Sequence, residues 1–300
     1  MSSVQGLRDG AGAQREGREM PKNAAPATKP FIKWAGGKTR LLPKLLPYVP
    51  LTIQNYHEPF LGGGAMYFAV ADFVAGTSYL SDLNQELLNA WIAIRDHADE
   101  LESLLDDYRA KDAAGGKEFY LSVRPLQLQG TVDRAARFLY LNQTSWNGLW
   151  RVNKFGKFNV PWGDRPFHGL TRDVIDSVSA RLQNANIGVR DFREAIPLAE
   201  PGDFVYLDPP YLPLSDTSKF YLYTEKRFRS PDLAELADLC NAMSERGVAW
   251  MMSNRDTSLV RELFDGHDFH ALTTRRSVAA QNKRDVEPSD SLELIVVGRT

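Results

Sequence analysis

One short stretch of the sequence places an acid, two prolines and an aromatic ring directly after an apolar run. In FVYLDPPYLP, residues 204–213, the run Phe204–Leu207 is typical of a buried strand. The two prolines cannot donate to a strand ladder and each fixes φ, so they end the predicted strand abruptly. The pattern therefore predicts that the carboxylate of Asp208 and the ring of Tyr211 lie together at one strand tip.

These groups suit a reaction at the exocyclic amine of a nucleobase. Such an amine is a poor nucleophile because its lone pair is delocalised into the ring, and it must become more tetrahedral to accept a methyl group. The Asp208 carboxylate and a carbonyl held rigid by Pro209 and Pro210 can both accept its N–H bonds and balance the developing positive charge. Tyr211 offers a face on which the base can stack. Because the site cannot reach a base inside a duplex, the base must be flipped out.

A glycine turn in EPFLGGGAMY, residues 58–67, predicts a nucleoside site. It lies between a predicted strand and a predicted helix, and Asp82 ends the next predicted strand 20 residues after Gly62. Glycines let the backbone approach the ligand, and an acid at this spacing can bind ribose hydroxyls. Tyr67 stands where a dinucleotide fingerprint needs a third small residue, which argues against a nicotinamide dehydrogenase. S-adenosylmethionine, which needs no pyrophosphate cradle, fits these parts.

The elements that must position these groups alternate between strand and helix patterns. A short strand is predicted before the glycine turn and a second one ending at Asp82, and further strands are predicted in the stretches 187–192, 204–211, 247–254 and 291–299. Helices are predicted from near Ala65, after Asp82, over most of 97–145 and over 231–246, while the glycine- and proline-rich stretch 146–170 predicts a hairpin and loop.

Length and composition indicate an ordinary globular protein. The 300 residues are 43% hydrophobic and 25% charged, and no apolar run approaches the roughly 20 residues that span a bilayer. The single cysteine, Cys240, cannot form an internal disulfide, so we expect a cytoplasmic protein without a membrane partner. Residues 1–29 have no apolar periodicity and predict a disordered tail, with Met20 as an alternative start.

Charge is distributed unevenly along the chain. Residues 117–172 hold nine Lys or Arg and three acids, a net charge of +6, although the whole chain carries −2. A basic middle within an acidic frame suggests a segment that meets phosphates. A solvated basic face remains the alternative.

Five stretches together resemble DNA adenine N6-methyltransferases of the Dam type. They are FIKWAGGKTRLLPKLLPYVP, EPFLGGGAMYF, LSDLNQELLNAW, FLYLNQTSWNGLWRVNKFGKFNVPWG and YLDPPY, in the order of the alpha group of amino-methyltransferases. The resemblance covers residues 30–300. It implies a Rossmann-like mixed α/β catalytic domain over 30–84 and 171–300, with an inserted, mainly helical target-recognition domain over 85–170 that carries a β-hairpin.

The resemblance also implies which residues bind S-adenosylmethionine. Trp34 and Lys38 would contact the cofactor, with Lys38 near its methionine end, while Asp191 and Phe192 would flank its adenine. Asp82 would bind the ribose, and Asp208 would touch both the cofactor and the target amine. The implied residues of the glycine motif are Glu58, Pro59, Phe60, Gly62 and Gly64.

In this family the hairpin enters the grooves of double-stranded DNA, and the implied recognition site is GATC, methylated at the adenine. Trp146, where a Tyr is commoner, would push into the base stack. Arg151 is the natural reader of a guanine, because a guanidinium can bond both O6 and N7. The implied DNA-binding residues are Trp146, Asn147, Leu149, Arg151, Lys154, Lys157 and Pro161, of which the two lysines would contact phosphates.

Rival interpretations stay open at this point. An N4-cytosine methyltransferase can use the same strand-tip chemistry, and a non-catalytic DNA-binding regulator can derive from the same fold. The sequence fits a solitary maintenance enzyme as well as the modifying partner of a cognate restriction endonuclease. It does not indicate an oligomeric state. No metal is expected, because the histidines show no ligand spacing and the sulfonium of the donor is already activated. In the predicted last hairpin, Arg275, Arg276, Lys283 and Arg284 could meet phosphates or solvent.

Overall fold

The computed structural model describes residues 28–212, 228–274 and 291–300. Its helices are α1 (Leu42–Leu45), α2 (Ala65–Val70), α3 (Gln85–Asp96), α4 (Ala98–Val123), α5 (Thr131–Thr144), α6 (Arg172–Leu182), α7 (Phe192–Ala195), α8 (Ser230–Glu245) and α9 (Ser258–Leu263). Its strands are β1 (Tyr56–Glu58), β2 (Ser78–Asp82), β3 (Ala185–Val189), β4 (Phe204–Leu207), β5 (Ala249–Arg255), β6 (Asp268–Thr274) and β7 (Ser291–Val297). Most of the predicted tail and the four basic residues of the predicted last loop lie outside these residues.

The strands form one mixed sheet in the order β3-β2-β1-β4-β5-β7-β6. The first five strands are parallel, and β7 runs antiparallel to both β5 and β6. The strand order reverses between β1 and β4. In open α/β sheets, ligands bind outside the carboxyl ends of the strands at such a reversal. The Rossmann-like mixed sheet predicted from the sequence is confirmed.

Alternating side chains of the central strands supply two apolar cores, one on each face of the sheet. Phe204 and Tyr206 lie in the core that continues into α3 and α5. Val205 and Leu207 point the other way, into the core beneath α8 and α9. Burial on both faces explains why β4 reads as a continuous apolar run.

The chain between β2 and β3 contains helices α3 to α6 and a short hairpin. Helix α3 contacts both β2 and β3 as well as α5, so it joins the sheet to the helical segment. After α5, the backbone N–H of Trp146 donates to the carbonyl of Pro161 at 2.9 Å, and bridges pair Ser145 with Trp162 and Val152 with Phe158. The hairpin predicted within residues 146–170 is present, and the boundaries of the recognition domain stay a prediction.

The third predicted strand is wrong in its bounds. It runs over Ala185–Val189 rather than 187–192, because the side chain of Asp191 accepts the N–H of Arg193 and begins helix α7. An Asp at this N-cap satisfies a backbone donor that would otherwise lack a partner, so it favours a helix start over a longer strand.

Candidate active site

Three acidic side chains lie at the carboxyl ends of three adjacent strands. Glu58 ends β1, Asp82 ends β2 and Asp208 directly follows β4. The register places Glu58 opposite Leu80 of β2, and His57 opposite Val205 of β4. The sheet therefore brings the predicted strand-tip acids to one edge, at the reversal in strand order.

The carboxylate of Asp208 is held by a lysine and a serine. Lys38 Nζ lies 2.7 Å from Asp208 Oδ1, and the Ser253 hydroxyl donates to the same oxygen at 3.0 Å. Burial raises the pKa of the Asp208 carboxyl, while the ion pair with Lys38 and these hydrogen bonds oppose that rise. Lys38 is itself buried and donates to the carbonyl of Gly36 at 2.9 Å. The structure thus brings Lys38 and Asp208 into direct contact, although 170 residues separate them.

The rigid turn after β4 carries the predicted stacking ring. Pro209 is buried and Pro210 is exposed, and they lead to the half-buried side chain of Tyr211. Lys38 Nζ lies over the Tyr211 ring, 4.9 Å from its centroid. The turn therefore keeps the ring beside the Asp208 carboxylate, as the sequence predicts.

The glycine turn packs so tightly that two of its positions need glycine. Gly62 has φ +48°, and a Cβ there would lie 2.6 Å from Cδ1 of Trp34. Gly64 has φ +65°, and its Cβ would lie 2.4 Å from the ring of Trp91. Both backbones take the left-handed conformation that glycine adopts most easily. Trp34 therefore lies against the turn, where the resemblance places a cofactor contact.

Asp82 accepts hydrogen bonds from this turn and from the start of helix α3. Its Oδ2 accepts the Gly62 N–H at 3.1 Å, and its Oδ1 accepts the Asn84 N–H at 3.0 Å. Burial raises the pKa of the Asp82 carboxyl, and these backbone donors oppose the rise. Because a carboxylate has about four lone-pair directions, Asp82 keeps capacity to accept ligand hydroxyls.

Glu58 is the most deeply buried of the three acids. Its Oε2 accepts the Tyr56 hydroxyl at 2.7 Å and the Tyr67 N–H at 3.1 Å. Burial is the main cause that raises the pKa of Glu58 to about 8, and the nearby charge of Asp208 adds to it. The folded protein therefore keeps this carboxyl mostly protonated at neutral pH.

This raised pKa predicts how Glu58→Gln changes the pH dependence of stability. Between the ordinary pKa of 4.5 and the folded value of about 8, the folded state holds a proton that the unfolded state releases. The stability from this group is fully present below pH 4.5 and is lost as the pH rises through 8. Glutamine stays neutral, so the melting temperature of the variant lacks this pH dependence. As the pH rises from 5.5 to 8.5, the melting temperature of wild type should therefore fall relative to that of the variant by at least about 3 °C. Differential scanning fluorimetry measures it, with Glu245→Gln as the surface control; an unchanged gap between variant and wild type would contradict the assignment.

Aromatic rings line the edge of the site toward β3. Phe60 stacks on Phe192 with centroids 5.5 Å apart, and Phe228 meets both rings. Phe192 is 4% exposed and also lies under the Arg193 guanidinium, whereas Phe60 is half-buried. Phe60 thus presents more ring surface to a ligand than Phe192 does.

The predicted hairpin displays apolar side chains to solvent. Trp146 is 56% exposed, Leu149 37% and Phe155 71%. Asn147 adopts a positive φ of 56°, and Gly148 and Asn147 turn the chain sharply at this point. Phe155, at the hairpin tip with Lys154 Nζ 5.0 Å from its ring centroid, was not predicted as a contact residue. Three exposed apolar side chains on one short hairpin indicate a binding surface.

The basic residues of the same region divide into two groups. Arg151 and Lys157 are exposed on opposite arms of the hairpin, and Arg151 Nε donates to Asn159 Oδ1 at 2.8 Å. Three other arginines serve the fold: Arg134 pairs with Glu86, Arg137 is buried against helix-end carbonyls, and Arg172 pairs with three acids. These three arginines of the basic segment are therefore bonded within the fold, and the phosphate contacts of the hairpin lysines stay a prediction.

Comparison with known proteins decides the family. The sequence pattern of the D12 class of N6 adenine-specific DNA methyltransferases matches residues 34–278. The chain belongs to this family. The resemblance to Dam-type adenine N6-methyltransferases seen in the sequence motifs is therefore confirmed, and the chain is an adenine-specific DNA methyltransferase rather than a cytosine-specific one.

Several named relatives align with most of this D12 chain. It is 36% identical over 263 residues to the type II methyltransferase M1.LlaDCHI of Lactococcus lactis subsp. cremoris, covering 85% of this chain and 90% of the relative. It is 33% identical over 286 residues to the type II methyltransferase M.MjaIII of Methanocaldococcus jannaschii, covering 90% and 98%. It is 31% identical over 262 residues to the DNA adenine methylase of Escherichia coli K12, covering 87% and 91%.

Two site residues of this D12 methyltransferase were missed from the sequence. Ser253 of β5 holds Asp208, and Glu293 of β7 accepts the Tyr211 hydroxyl and lies 3.6 Å from Lys38 Nζ. The sequence does contain a signal for Glu293, because one charged residue interrupts the apolar strand SLELIVV.

In the part of the chain that the structure describes, no helix has both the length and the apolar character for crossing a bilayer, and no cluster of potential metal ligands occurs.

Proposed function

We propose that this protein transfers the methyl group of S-adenosylmethionine to N6 of the adenine in GATC, after that adenine has been flipped out of double-stranded DNA. The observation that carries the proposal is the position of Asp208: a half-buried, ion-paired carboxylate on a proline turn at the carboxyl end of β4, where the strand order reverses. When bound, S-adenosylmethionine supplies a methyl group activated by its sulfonium.

The contacts of Asp208 suggest how it binds the target amine. Lys38 and Ser253 both contact Oδ1, so we assign Oδ2 to the N–H of the base. A backbone carbonyl of the Asp208–Pro210 turn takes the second N–H. These two acceptors draw the nitrogen toward tetrahedral geometry and balance the positive charge that develops on it. Tyr211 stacks on the base and keeps it in this position.

The neighbouring side chains fit a nucleoside with a charged methionine end. We assign the tightly packed backbone at Gly62 and the ring of Trp34 to the cofactor, and the remaining lone pairs of Asp82 suit its ribose hydroxyls. Phe60, backed by Phe192, offers a ring for the adenine of the cofactor, with Asp191 nearby at the start of α7. Glu58, which the burial keeps protonated, and Pro59 continue this wall.

The hairpin supplies the parts that base flipping requires. Trp146, more than half exposed, can fill the gap that the extruded base leaves, with Asn147 beside it. Leu149 presents an apolar contact to the bases, and Pro161 is tied to Trp146 across the root of the hairpin. We assign the exposed Lys154, near the tip, and Lys157, on the second arm, to phosphates, and such contacts fix position without reading sequence.

A direct test uses S-adenosylmethionine with a trideuterated methyl group. The protein is incubated with a duplex that holds one GATC and with duplexes that differ from it by one base pair in the site, and the released nucleosides are analysed by mass spectrometry. Labelled N6-methyladenine from the GATC duplex alone supports the proposal. Label in another duplex would correct the recognition sequence, and no label in any duplex would refute the function.

Mutations of Arg151 and Lys157 should separate base reading from phosphate contact. Arg151→Ala should lose about 1–3 kcal/mol of discrimination at one base pair, because a bidentate contact to guanine is removed. Lys157→Ala should weaken binding to all sequences alike and reduce the slope of log affinity against log salt by about one. Fluorescence anisotropy over a salt series measures both, and identical behaviour of the two variants would refute the division.

A further inference from the structure

Glu293 is a buried carboxylate, and its two side-chain partners among the described residues, Lys38 and Tyr211, belong to the candidate active site. Its side chain is only 9% exposed, it lies 3.6 Å from Lys38 Nζ, and it accepts the hydroxyl of Tyr211. It shares the face of β7 with Ile295, which lies in the apolar core. Burying a carboxylate costs free energy unless it is paired. We therefore look for the role of Glu293 in its contacts with these two partners.

Its cross-strand partner holds the same segment of chain at a second point. Arg255 of β5 faces Glu293 of β7 in the antiparallel register. Arg255 Nη1 donates to the carbonyl of Leu212 at 3.2 Å, one residue after Tyr211. The β5–β7 pair therefore contacts the turn after β4 through the ring hydroxyl of Tyr211 and through the backbone next to it.

We propose that Glu293 is a positioning residue that fixes the ring of Tyr211 for stacking on the extruded adenine, with Arg255 as the second anchor of the same turn. The inference rests on the proposed function of Tyr211. The proline turn fixes the backbone of the tyrosine, and Glu293 holds its hydroxyl end, so rotation about χ1 cannot swing the ring away without breaking this hydrogen bond. Lys38 lies over one face of the ring, which assigns the base to the other face.

A fixed ring matters because methyl transfer depends on the alignment of the amine with the donor. Displacement of a reacting group by about 1 Å can cost about 10²-fold in rate. Glu293 touches neither the base nor the donor in this arrangement, and it acts through Tyr211. Its loss should therefore change the rate of transfer more than the affinity for DNA.

The test compares single and double variants in single-turnover methyl transfer to a GATC duplex. Glu293→Ala is expected to slow transfer about 10²-fold while the Kd for DNA changes less than threefold. Glu293→Gln keeps an oxygen that accepts the Tyr211 hydroxyl, so it should stay within about threefold of wild type. Tyr211→Phe removes the other half of the bond, and the double variant Glu293→Ala/Tyr211→Phe should be no slower than the slower single variant, since the two groups act as a unit. Glu245→Ala, an exposed residue on α8, is the control.

Three results would overturn the inference: wild-type transfer by Glu293→Ala, equal loss in Glu293→Gln and Glu293→Ala, or rate losses that multiply in the double variant. Circular dichroism checks that each variant is folded. If Glu293→Ala does not fold, Arg255→Ala and Tyr211→Phe carry the test; each should slow transfer at least about tenfold, and wild-type rates in both would overturn it. A wild-type protein that transfers no methyl group would refute the proposed function instead.

Discussion

Asp208→Ala is expected to abolish methyl transfer, with a loss of at least about 10²–10³-fold, while the protein still binds DNA. The carboxylate is the acceptor that we assign to the target amine, and its contribution grows as positive charge develops on nitrogen. Its removal also leaves Lys38 without the anion 2.7 Å away. The DNA contacts that we propose lie on the hairpin of residues 146–163, so the Kd for a GATC duplex should change less than about threefold.

Radiolabelled methyl incorporation and fluorescence anisotropy measure these two quantities in parallel. Asp208→Asn is the informative companion, because its amide keeps the shape and one acceptor but not the charge. It should fall between wild type and Asp208→Ala. Asp238→Ala, which removes an exposed carboxylate from α8, should leave both quantities unchanged. Turnover by Asp208→Ala within tenfold of wild type would remove Asp208 from the chemistry.

Lys38→Met should lower the transfer rate at neutral pH by at least about tenfold and move the acid limb of the rate profile to higher pH. The sign follows from the causes that act on Asp208: burial raises the pKa of its carboxyl, and Lys38 opposes the rise. Without the cation the pKa of Asp208 rises further, so a higher pH is needed to ionise it.

The measurement is kcat for methyl transfer between pH 5 and 9, together with the affinity for S-adenosylmethionine by calorimetry. Affinity should also fall, because Lys38 is assigned to the methionine end of the donor. Lys44→Met, on the surface of α1, provides the matched loss of a lysine. An acid limb that stays at the wild-type position would show that Lys38 does not control the ionisation of Asp208.

The parts of the site that could be predicted are those written in contiguous sequence. The strand before Asp208, the glycine turn after β1 and the acid at the end of β2 are local patterns, and each is present where the residues indicate. Parallel strands carry their carboxyl ends to one edge, so the meeting of these three stretches followed from the fold class alone.

The contacts that close the site join residues far apart in the chain. Ser253 and Glu293 reach Asp208 and Tyr211 from β5 and β7, and only the strand order makes them neighbours. No spacing rule connects residue 293 to residue 38. A single Glu in an apolar strand indicates that a buried partner pairs with it, but the sequence does not identify that partner.

Side-chain partners also explain why charge counting overstated the basic segment. Arg134, Arg137 and Arg172 add to the positive total of the sequence, yet each is bonded within the fold. Helix α6 shows the opposite case: no helix was predicted there, although Ile175, Val178 and Leu182 follow helical spacing and are buried. Burial and side-chain pairing explain both the overstated basic segment and the missed helix. A count of residue types contains neither.

The central claim is that the Asp208 carboxylate and a carbonyl of its proline turn hold the amine of an extruded adenine in line with the methyl donor. The most direct measurement is a crystal structure with a GATC duplex and a non-reactive analogue of S-adenosylmethionine. The account predicts an adenine outside the helix, stacked on Tyr211, with N6 within hydrogen-bond distance of Asp208 and of that carbonyl. An adenine that remains paired in the duplex, or an extruded base whose N6 points away from Asp208, would contradict it.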